Sequence, residues 1–382
     1  MNTQKPKTIF LIAGRTGGPY FPLSWVDKNF KNFDKVYIGV KNSFEEAISK
    51  RQSQKIEFLP EAKLAIFSFK NLPPSQLLIL GLDTFKSIFL LLVSTFKSIF
   101  LVLKYSPVFI YTTGSFLAVP IILAVWVTNF FGSTKTKIIV HQQDPLPGLS
   151  NKFAVRFGHL TTVVCRYTQD NFKQFAKASL IPNPILVSKY SYTRAKALQI
   201  LAKENQQLSD FIRSHKEAKN KILLVFGGGS GSQKINNWLY HNLPALTKKF
   251  AVVHLTGVLN TQDFAHTNQL KYFKLRGLFE SMPCMLAIAD LVICRSGLAS
   301  ISELLFLAKP AFLVPLKDSH QELNAKIFAD KFVGLKEDRV DLWVDTIFEN
   351  YPKFFDAVKH QDPKQIQQKL QEYYLAINKI IS

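Results

Sequence analysis

The stretch from Leu291 to Ala325 gathers side chains able to bind a phosphorylated sugar. A short apolar run ends at Cys294, then come Arg295-Ser296-Gly297 and a helical pattern carrying Ser302 and Glu303. After Lys309-Pro310 and a second apolar run there is a polar loop with His320, Gln321 and Asn324. In an open α/β sheet, ligands bind where strands hand over to helices. A carboxylate near a helix start, beside Ser and Gly, suits sugar hydroxyls next to a phosphate held by helix-start amides. Two glycine-rich turns have a similar placement. Gly227-Gly228-Gly229-Ser230-Gly231 follows the apolar run from Lys221 to Phe226, and Gly14-Arg15-Thr16-Gly17-Gly18-Pro19 follows that from Lys7 to Ala13. Small residues there let backbone N–H groups approach a phosphate. Neither turn has the P-loop spacing or a clean dinucleotide fingerprint, and either one alone reads equally well as a tight turn. Together, one in each half of the chain, they point to a diphosphate-bearing ligand between the halves. No Asp-x-Asp pair follows a strand and no His/Cys cluster has zinc spacing, so neither a metal nor another cofactor is expected.

These residues need strands to carry them. Runs beginning near Lys7, Lys35, Lys55, Val108, Lys137 and Thr161 read as strands separated by helical stretches. After Asn183-Pro184 the cycle restarts, with strands at Lys221, Ala251, around Leu275 and at Leu291. The α/β alternation, twice over, predicts two Rossmann-like, doubly wound parallel-sheet domains facing a cleft. At 382 residues the chain has room for both, at roughly 100–200 residues each. The expected boundaries are 1–183 and 184–360, with 361–382 a terminal helix.

A formal net charge of +21 implies an anionic partner, unless the protein is simply soluble and basic. Nucleic acid fits less well, because the basic residues are spread rather than clustered with exposed aromatics. Three cysteines, without metal spacing, suit a reducing cytoplasmic setting. The N-terminal apolar run is too short for a signal peptide and reads as a strand. Between Leu77 and Leu103 the sequence Thr-Phe-Lys-Ser-Ile-Phe-Leu occurs twice, eleven residues apart. That offset is about three helical turns, so Lys86 and Lys97 share a face with Lys104 nearby. Phe85, Phe89, Leu92, Phe96, Ile99 and Leu103 read as the opposite stripe. Such a helix suits an anionic membrane surface. Its rivals are a core helix with snorkelling lysines, and a spanning helix, against which Ser94, Thr95, Lys97 and Ser98 interrupt the ~18–20 apolar residues needed. The apolar stretch from Phe116 to Phe131, with Pro120, reads as a buried helix.

In order, these motifs resemble the MurG glycosyltransferases over nearly the whole chain. Gly14 to Pro22 looks like that family's first glycine loop, and Thr113-Gly114-Ser115-Phe116 like its second. His141-Gln142-Gln143-Asp144, with Pro147-Gly148-Leu149 and Asn151, resembles its His-Glu-Gln-Asn loop. Gly227 to Gly231 resembles the donor-side phosphate loop, and Arg295 through Glu303 with His320, Gln321 and Asn324 the nucleotide-sugar site. The resemblance implies a GT-B architecture, acceptor-side and membrane-binding domain first, donor-side domain second, and a C-terminal helix returning to the first. It implies inverting transfer of N-acetylglucosamine from UDP-GlcNAc to a polyprenyl-diphosphate glycolipid, lipid I to lipid II. That reaction belongs to peptidoglycan synthesis at the cytoplasmic face of the cell membrane, by a peripheral protein needing no cofactor. By resemblance Glu303 binds the ribose hydroxyls. Gly229, Ser230 and Gly231 hold the diphosphate, and Phe279 lies over the uracil edge. Arg295, Ser296 and Gly297 belong to the same site, Leu298, Ala299 and Ser300 supply helix-start amides, and His320 and Gln321 read the sugar. Thr16, Gly17, Gly18, Thr113, Gly114, Ser115, Gln142 and Asn151 fall on the acceptor side.

The acceptor side departs from the family pattern. Pro19 stands where the first loop ends in His, Arg15 replaces its second Gly, Gln142 the Glu, and Asp144 the Asn. Leu186 stands where an Arg is expected. Inversion needs a base for the acceptor hydroxyl's proton. Either His141 or Asp144 supplies it, or the acceptor is a modified lipid, or the protein is a nucleotide-sugar-binding membrane scaffold with little turnover. A His at a strand end is also often a structural hydrogen-bonder, and Asp before Pro a common turn starter.

Overall fold

The structure, a computed structural model, describes residues 7–12, 17–41, 46, 54–60, 74–184, 193–229, 231–257, 271–278, 281–357 and 363–382. The chain divides into two compact units, Met1–Pro184 with Lys369–Ser382, and Ile185–Gln368.

In the first unit the strands are β1 (Thr8–Ile12), β2 (Asp34–Gly39), β3 (Ile56–Phe58), β4 (Phe109–Thr112), β5 (Lys137–Gln142), β6 (Leu160–Val163) and β7 (Ser179–Leu180). They form one sheet in the order β3-β2-β1-β4-β5-β6-β7, every pair parallel. In the second unit β8 (Lys221–Phe226), β9 (Phe250–Leu255), β10 (Tyr272–Leu275), β11 (Leu291–Cys294), β12 (Ala311–Leu313) and β13 (Val333–Gly334) give the order β10-β9-β8-β11-β12-β13, also parallel. Both contain the doubly wound 3-2-1-4-5-6 order. Continuous apolar strands such as TIFLI and KILLVF follow from that, because helices cover both faces of each sheet. The order reverses between β1 and β4, and again between β8 and β11. Those switch points place 113–115 beside the end of β1 and bring 227–229 and 231–232 next to 295–297.

Some boundaries differ from those read in the sequence. The first helix begins at Gly17 and carries Pro22 inside it, rather than starting after that proline. The two-residue strands β7 and β13 are too short to leave a periodic signal.

Each core is aromatic. In the second unit Trp238 and Trp343 meet at 5.0 Å between ring centroids. Beneath its glycine loop, buried His254 shares Nε2 with Asn236 Oδ1 at 3.0 Å and Nδ1 with Tyr272 Oη at 2.9 Å, while Asn236 Nδ2 donates to Thr256 O at 2.9 Å. With its Nδ2 so committed, Asn236 presents an acceptor to His254. The imidazole is then a neutral Nε2–H tautomer accepting from tyrosine. In the first unit the last helix (Pro363–Ile381) contributes Tyr373, stacked on Trp25 at 5.5 Å, and Tyr374, against Phe30 at 5.0 Å.

The helix Pro74–Tyr105 corrects the expected distribution of faces. Phe85 and Phe96 are each 72% exposed, and Phe89, Leu92, Phe100 and Leu103 are exposed with them. Lys86, Lys97 and Lys104 lie on this same outward side rather than opposite it. Ser87, Ser94 and Ser98 face inward with Leu101 and Val102. The inward serines are tolerated because they are bonded: Ser94 Oγ donates to Pro60 O at 2.7 Å and Ser98 Oγ to Ser94 O at 2.6 Å. The core-helix reading is thereby excluded for the phenylalanines. Thr84–Tyr105 is long and apolar enough, by length and composition, to cross a membrane. Its inner end shares a core with Ile121, Ile122 and Val125 of the helix Ala118–Phe130. That second helix is not wholly buried either, since Trp126, Phe130 and Phe131 are exposed.

The inverted helix makes an ordered prediction for stability. Phe96→Ser removes a side chain with little burial and changes unfolding free energy by no more than about 0.5 kcal/mol. Leu101→Ala opens the core and costs about 2–5 kcal/mol. Urea denaturation of both variants checks this; the reverse ranking would mean that the phenylalanine side is the packed one.

Candidate functional site

In the second unit a polar cluster is built around Arg295, just after β11. Its Nη2 donates to Ser232 Oγ and to Glu337 Oε1, both at 2.8 Å, and its Nη1 reaches Val314 O and Pro315 O at 3.3 Å. Glu337 Oε2 also accepts from Lys317 N at 3.2 Å. One guanidinium therefore ties together the loops after β8, β11, β12 and β13. Burial raises the Glu337 carboxyl, but Arg295 and the Lys317 N–H outweigh it and leave the group below the usual carboxylate range. Expected as a donor contact, Arg295 has both terminal nitrogens engaged by the protein, where they tie these loops together. Ser232, Lys317 and Glu337 were not singled out in the sequence. Ser232 had a signal, a serine just before a helix; Glu337 had none.

A second clasp shapes the Arg-Ser-Gly turn. Ser296 Oγ donates to Gln321 O at 2.7 Å, and Asn324 Nδ2 donates to Ser296 O at 2.9 Å. Gln321 Oε1 accepts from Leu316 N at 3.2 Å, while His320 is exposed at the start of its helix, His320–Ile327. The helix Leu298–Phe306 begins at Gly297 with no side-chain cap. The amides of Leu298, Ala299 and Ser300 thus lack intrahelical acceptors and carry the positive end of the helix dipole. A Cβ added to Gly297, Gly228 or Gly229 would meet nothing within 4 Å, so there is open space at this helix start and along the neighbouring loop. Gly231, at φ +89°, is the opposite case: a Cβ there would collide with the Thr256 carbonyl that Asn236 holds. Glu303 is 6% exposed and lies close enough to buried Cys294 to help burial raise that thiol. The expected contacts Ser230 and Phe279 lie outside the described residues.

In the first unit the structure joins three of the expected positions. Gly114, at φ +96°, leaves only 2.8 Å between the site of an added Cβ and Asn151 Nδ2. Asn151 Nδ2 donates to Gln142 Oε1 at 2.6 Å, and Gln142 Nε2 donates to Asp144 O at 2.5 Å. An amide accepts on one side and donates on the other, whereas an ionised carboxylate only accepts, so Gln142 fits this chain of bonds. Buried Asn151 Oδ1 has no hydrogen-bond partner among the described residues. Thr112 Oγ1 accepts from Gly114 N at 3.2 Å and Ser115 Oγ from Leu117 N at 3.2 Å, which fixes the turn through Thr113. Gly17 and Gly18 open the first helix, and Thr16 and Leu186 lie outside the described residues.

His141 is corrected as a candidate base. It is 0% exposed, its Nδ1 lies 2.9 Å from Thr162 Oγ1, and its ring stacks on Tyr111. Burial pushes it down to about 3, against a smaller opposite effect of Asn183. A base must reach the hydroxyl it deprotonates, and no face of this imidazole reaches the surface. Asp144 is half-buried on the loop after β5 and keeps its candidacy. Among the described residues no group of three or more His, Cys, Asp or Glu is placed to hold a metal.

Comparison with known proteins gives consistent relatives. Residues 9–162 match the glycosyltransferase family 28 N-terminal domain, and residues 222–380 the C-terminal domain of that family. A Clostridium tetani protein named UDP-N-acetylglucosamine–N-acetylmuramyl-(pentapeptide) pyrophosphoryl-undecaprenol N-acetylglucosamine transferase is 28% identical, covering 94% of each chain. A Staphylococcus aureus protein of the same name is 29% identical over 90% of this chain and 89% of its own. The crystal structure of Acinetobacter baumannii MurG shares the fold, at a TM-score of 0.66 and 18% identity over 98% of this chain and 100% of that one.

The two buried histidines, His141 and His254, both pushed down to about 3 by burial, set a pH dependence of stability. Unfolded, each takes a proton below about 6.5; folded, neither does until near 3. The unfolded state therefore binds more protons in that window. Their contribution is complete above 6.5 and is lost as pH falls toward 3, by up to about 1.4 kcal/mol per pH unit for each histidine. Urea midpoints between pH 7 and 4 should fall less steeply for His141→Gln than for wild type; an identical slope would contradict the burial assignment.

Proposed function

The chain belongs to glycosyltransferase family 28, in its MurG branch, and on that premise we propose how its own residues divide the work. It is an N-acetylglucosaminyltransferase that moves GlcNAc from UDP-GlcNAc to the polyprenyl-diphosphate-linked muramoylpeptide lipid I, giving lipid II. The second unit binds the donor and the first the acceptor. The observation that carries the donor assignment is the uncapped start of Leu298–Phe306 facing open space, with Glu303 buried on the same helix. The amides of Leu298, Ala299 and Ser300, with the Gly229–Gly231 loop, hold the diphosphate, and Glu303 holds the ribose hydroxyls. His320 and Gln321 face the sugar.

In the transfer, the acceptor oxygen forms a bond to the anomeric carbon as the bond from that carbon to the UDP oxygen breaks. The acceptor's proton passes to Asp144, and the charge on departing UDP is met by preorganised helix-start amides. On the acceptor side, Gly114 and Asn151 offer a turn and an amide group to the lipid diphosphate and sugar. Gln142 acts one step back, by fixing Asn151 and the Asp144 backbone.

The first unit also docks on the cytoplasmic membrane surface as a peripheral protein. Exposed Phe85, Phe89 and Phe96 supply apolar area, and Lys86, Lys97 and Lys104 on the same side supply attraction to anionic lipid. The helix lies in the surface rather than crossing it, because crossing would strip Ser94 from its bond to Pro60 O and Leu101 and Val102 from the core.

Two kinetic variants separate the assignments. Glu303→Ala should raise the UDP-GlcNAc KM at least tenfold. Asp144→Asn should lower kcat by about 10²- to 10⁴-fold with the donor KM close to wild type. Wild-type kcat in the Asp144 variant would remove it as the base, and an unchanged KM would remove Glu303 from the donor site. For the membrane, Lys86→Glu with Lys97→Glu should cut binding to anionic vesicles by more than tenfold, at about 1 kcal/mol per basic residue. Undiminished binding would take that helix off the bilayer.

A further inference from the structure

An exposed arginine stands beside the candidate base at the strand ends of the first unit. Arg166 opens the helix Arg166–Asn171, just after β6, and β6 is the neighbour of β5 in the sheet. The loops after these strands stay side by side: Val164 N donates to Gln142 O at 3.2 Å, and buried Thr168 Oγ1 donates to Pro145 O at 2.9 Å. On its other side Gln169 Nε2 donates to Ala178 O at 2.7 Å. Arg166 therefore has a firm base next to the loop that carries Asp144.

Local stability does not account for this residue. A cation at the first helical position opposes the helix dipole. Among the described residues Arg166 forms no ion pair, although Asp170 lies four positions further on. Its surroundings favour an anion: from Lys152 to Lys177 the chain sets Lys152, Arg156, Arg166, Lys173 and Lys177 against Asp170 alone. No large apolar side chain is exposed in that stretch, whereas docking into a bilayer surface needs them. A fixed guanidinium with no ion-pair partner among the described residues suits a planar carboxylate on a ligand.

The strand order indicates which ligand group that is. Along the rim the Gly114 turn follows β4, Asp144 follows β5 and Arg166 follows β6, in steps of about 4.8 Å between strands. A muramoylpeptide presents its groups in the same order. The diphosphate is at one end of the sugar ring, the reacting hydroxyl at the other, and the peptide hangs from the carbon beside that hydroxyl. With the diphosphate at the Gly114 turn and the hydroxyl at Asp144, the peptide continues toward β6. We propose that Arg166 is a specificity-determining residue that binds a carboxylate of the acceptor's peptide. This rests on the acceptor assignment made above for the first unit, and it gives the β6 loop a task separate from the transfer itself.

The test uses the full chain in neutral detergent with two acceptors, a polyprenyl-diphospho-muramoylpeptide with free carboxylates and the same compound with every peptide carboxyl amidated. Wild type should favour the free-carboxylate acceptor at least tenfold in kcat/KM, through the acceptor KM. Arg166→Gln should reduce that preference at least fivefold, while Arg166→Lys, which keeps the charge but not the planar fork, should retain part of it. No preference in wild type, or an equal loss on both acceptors in Arg166→Gln, would overturn the assignment. Loss of anionic-vesicle binding in Arg166→Gln with the preference intact would also overturn it, and would give the side chain to the membrane surface. Anisotropy of each acceptor, labelled on its lipid, reads binding without turnover. Tighter binding of the free-carboxylate form, lost in Arg166→Gln, keeps the assignment even where no sugar is transferred and only the transferase reading fails. Transfer with equal binding of the two forms removes the Arg166 assignment alone.

Discussion

Four loops at the strand ends of the second unit have little regular backbone bonding of their own, and Arg295 holds them in one arrangement. A half-buried guanidinium is held in place by its bonds, and here Ser232, Glu337 and two strand-end carbonyls accept from both terminal nitrogens. Removing one partner leaves the other partly desolvated and unpaired, at a cost below the ~3–5 kcal/mol of a fully buried pair. That constraint fixes the geometry on which the proposed donor site depends. Ser232 caps the helix behind the glycine loop, and Lys317 leads toward His320 and Gln321. Arg295 itself precedes the uncapped helix start. The His254, Asn236 and Thr256 bonds support the same loop from beneath, where only glycine fits at 231.

The first unit uses neutral amides in a comparable way. The chain of bonds from Asn151 through Gln142 to the Asp144 backbone explains how Gln serves where the family carries Glu. It stiffens the loop bearing Asp144, a carboxylate two positions further on. His141, one position before Gln142, is buried against Thr162 and Tyr111.

Much of the architecture was legible because parallel strands covered on both faces are continuous apolar runs, and because glycine turns mark where such strands end. The glycines, Glu303 and Gly114 with Asn151 were accessible as motifs for that reason. The long helix was misread at the level of faces. Hydrophobic periodicity assumes that polar residues face water, whereas Ser94 and Ser98 are satisfied internally and the phenylalanines point out. The bond of Arg295 to Glu337 was not legible, because the two lie 42 residues apart, beyond any local pattern. The burial of His141 was equally invisible, since it depends on the neighbouring strands and on Tyr111 across β4.

The central claim is that the acceptor side, with Pro19 and Gln142 in place of the family's residues, still supports sugar transfer. UDP release from UDP-GlcNAc by the purified protein, with and without lipid I in anionic detergent micelles, tests it most directly. Release that depends on lipid I and matches lipid II formed is the predicted result. Measurable UDP-GlcNAc binding with no acceptor-dependent release would contradict the account and leave a nucleotide-sugar-binding protein in its place.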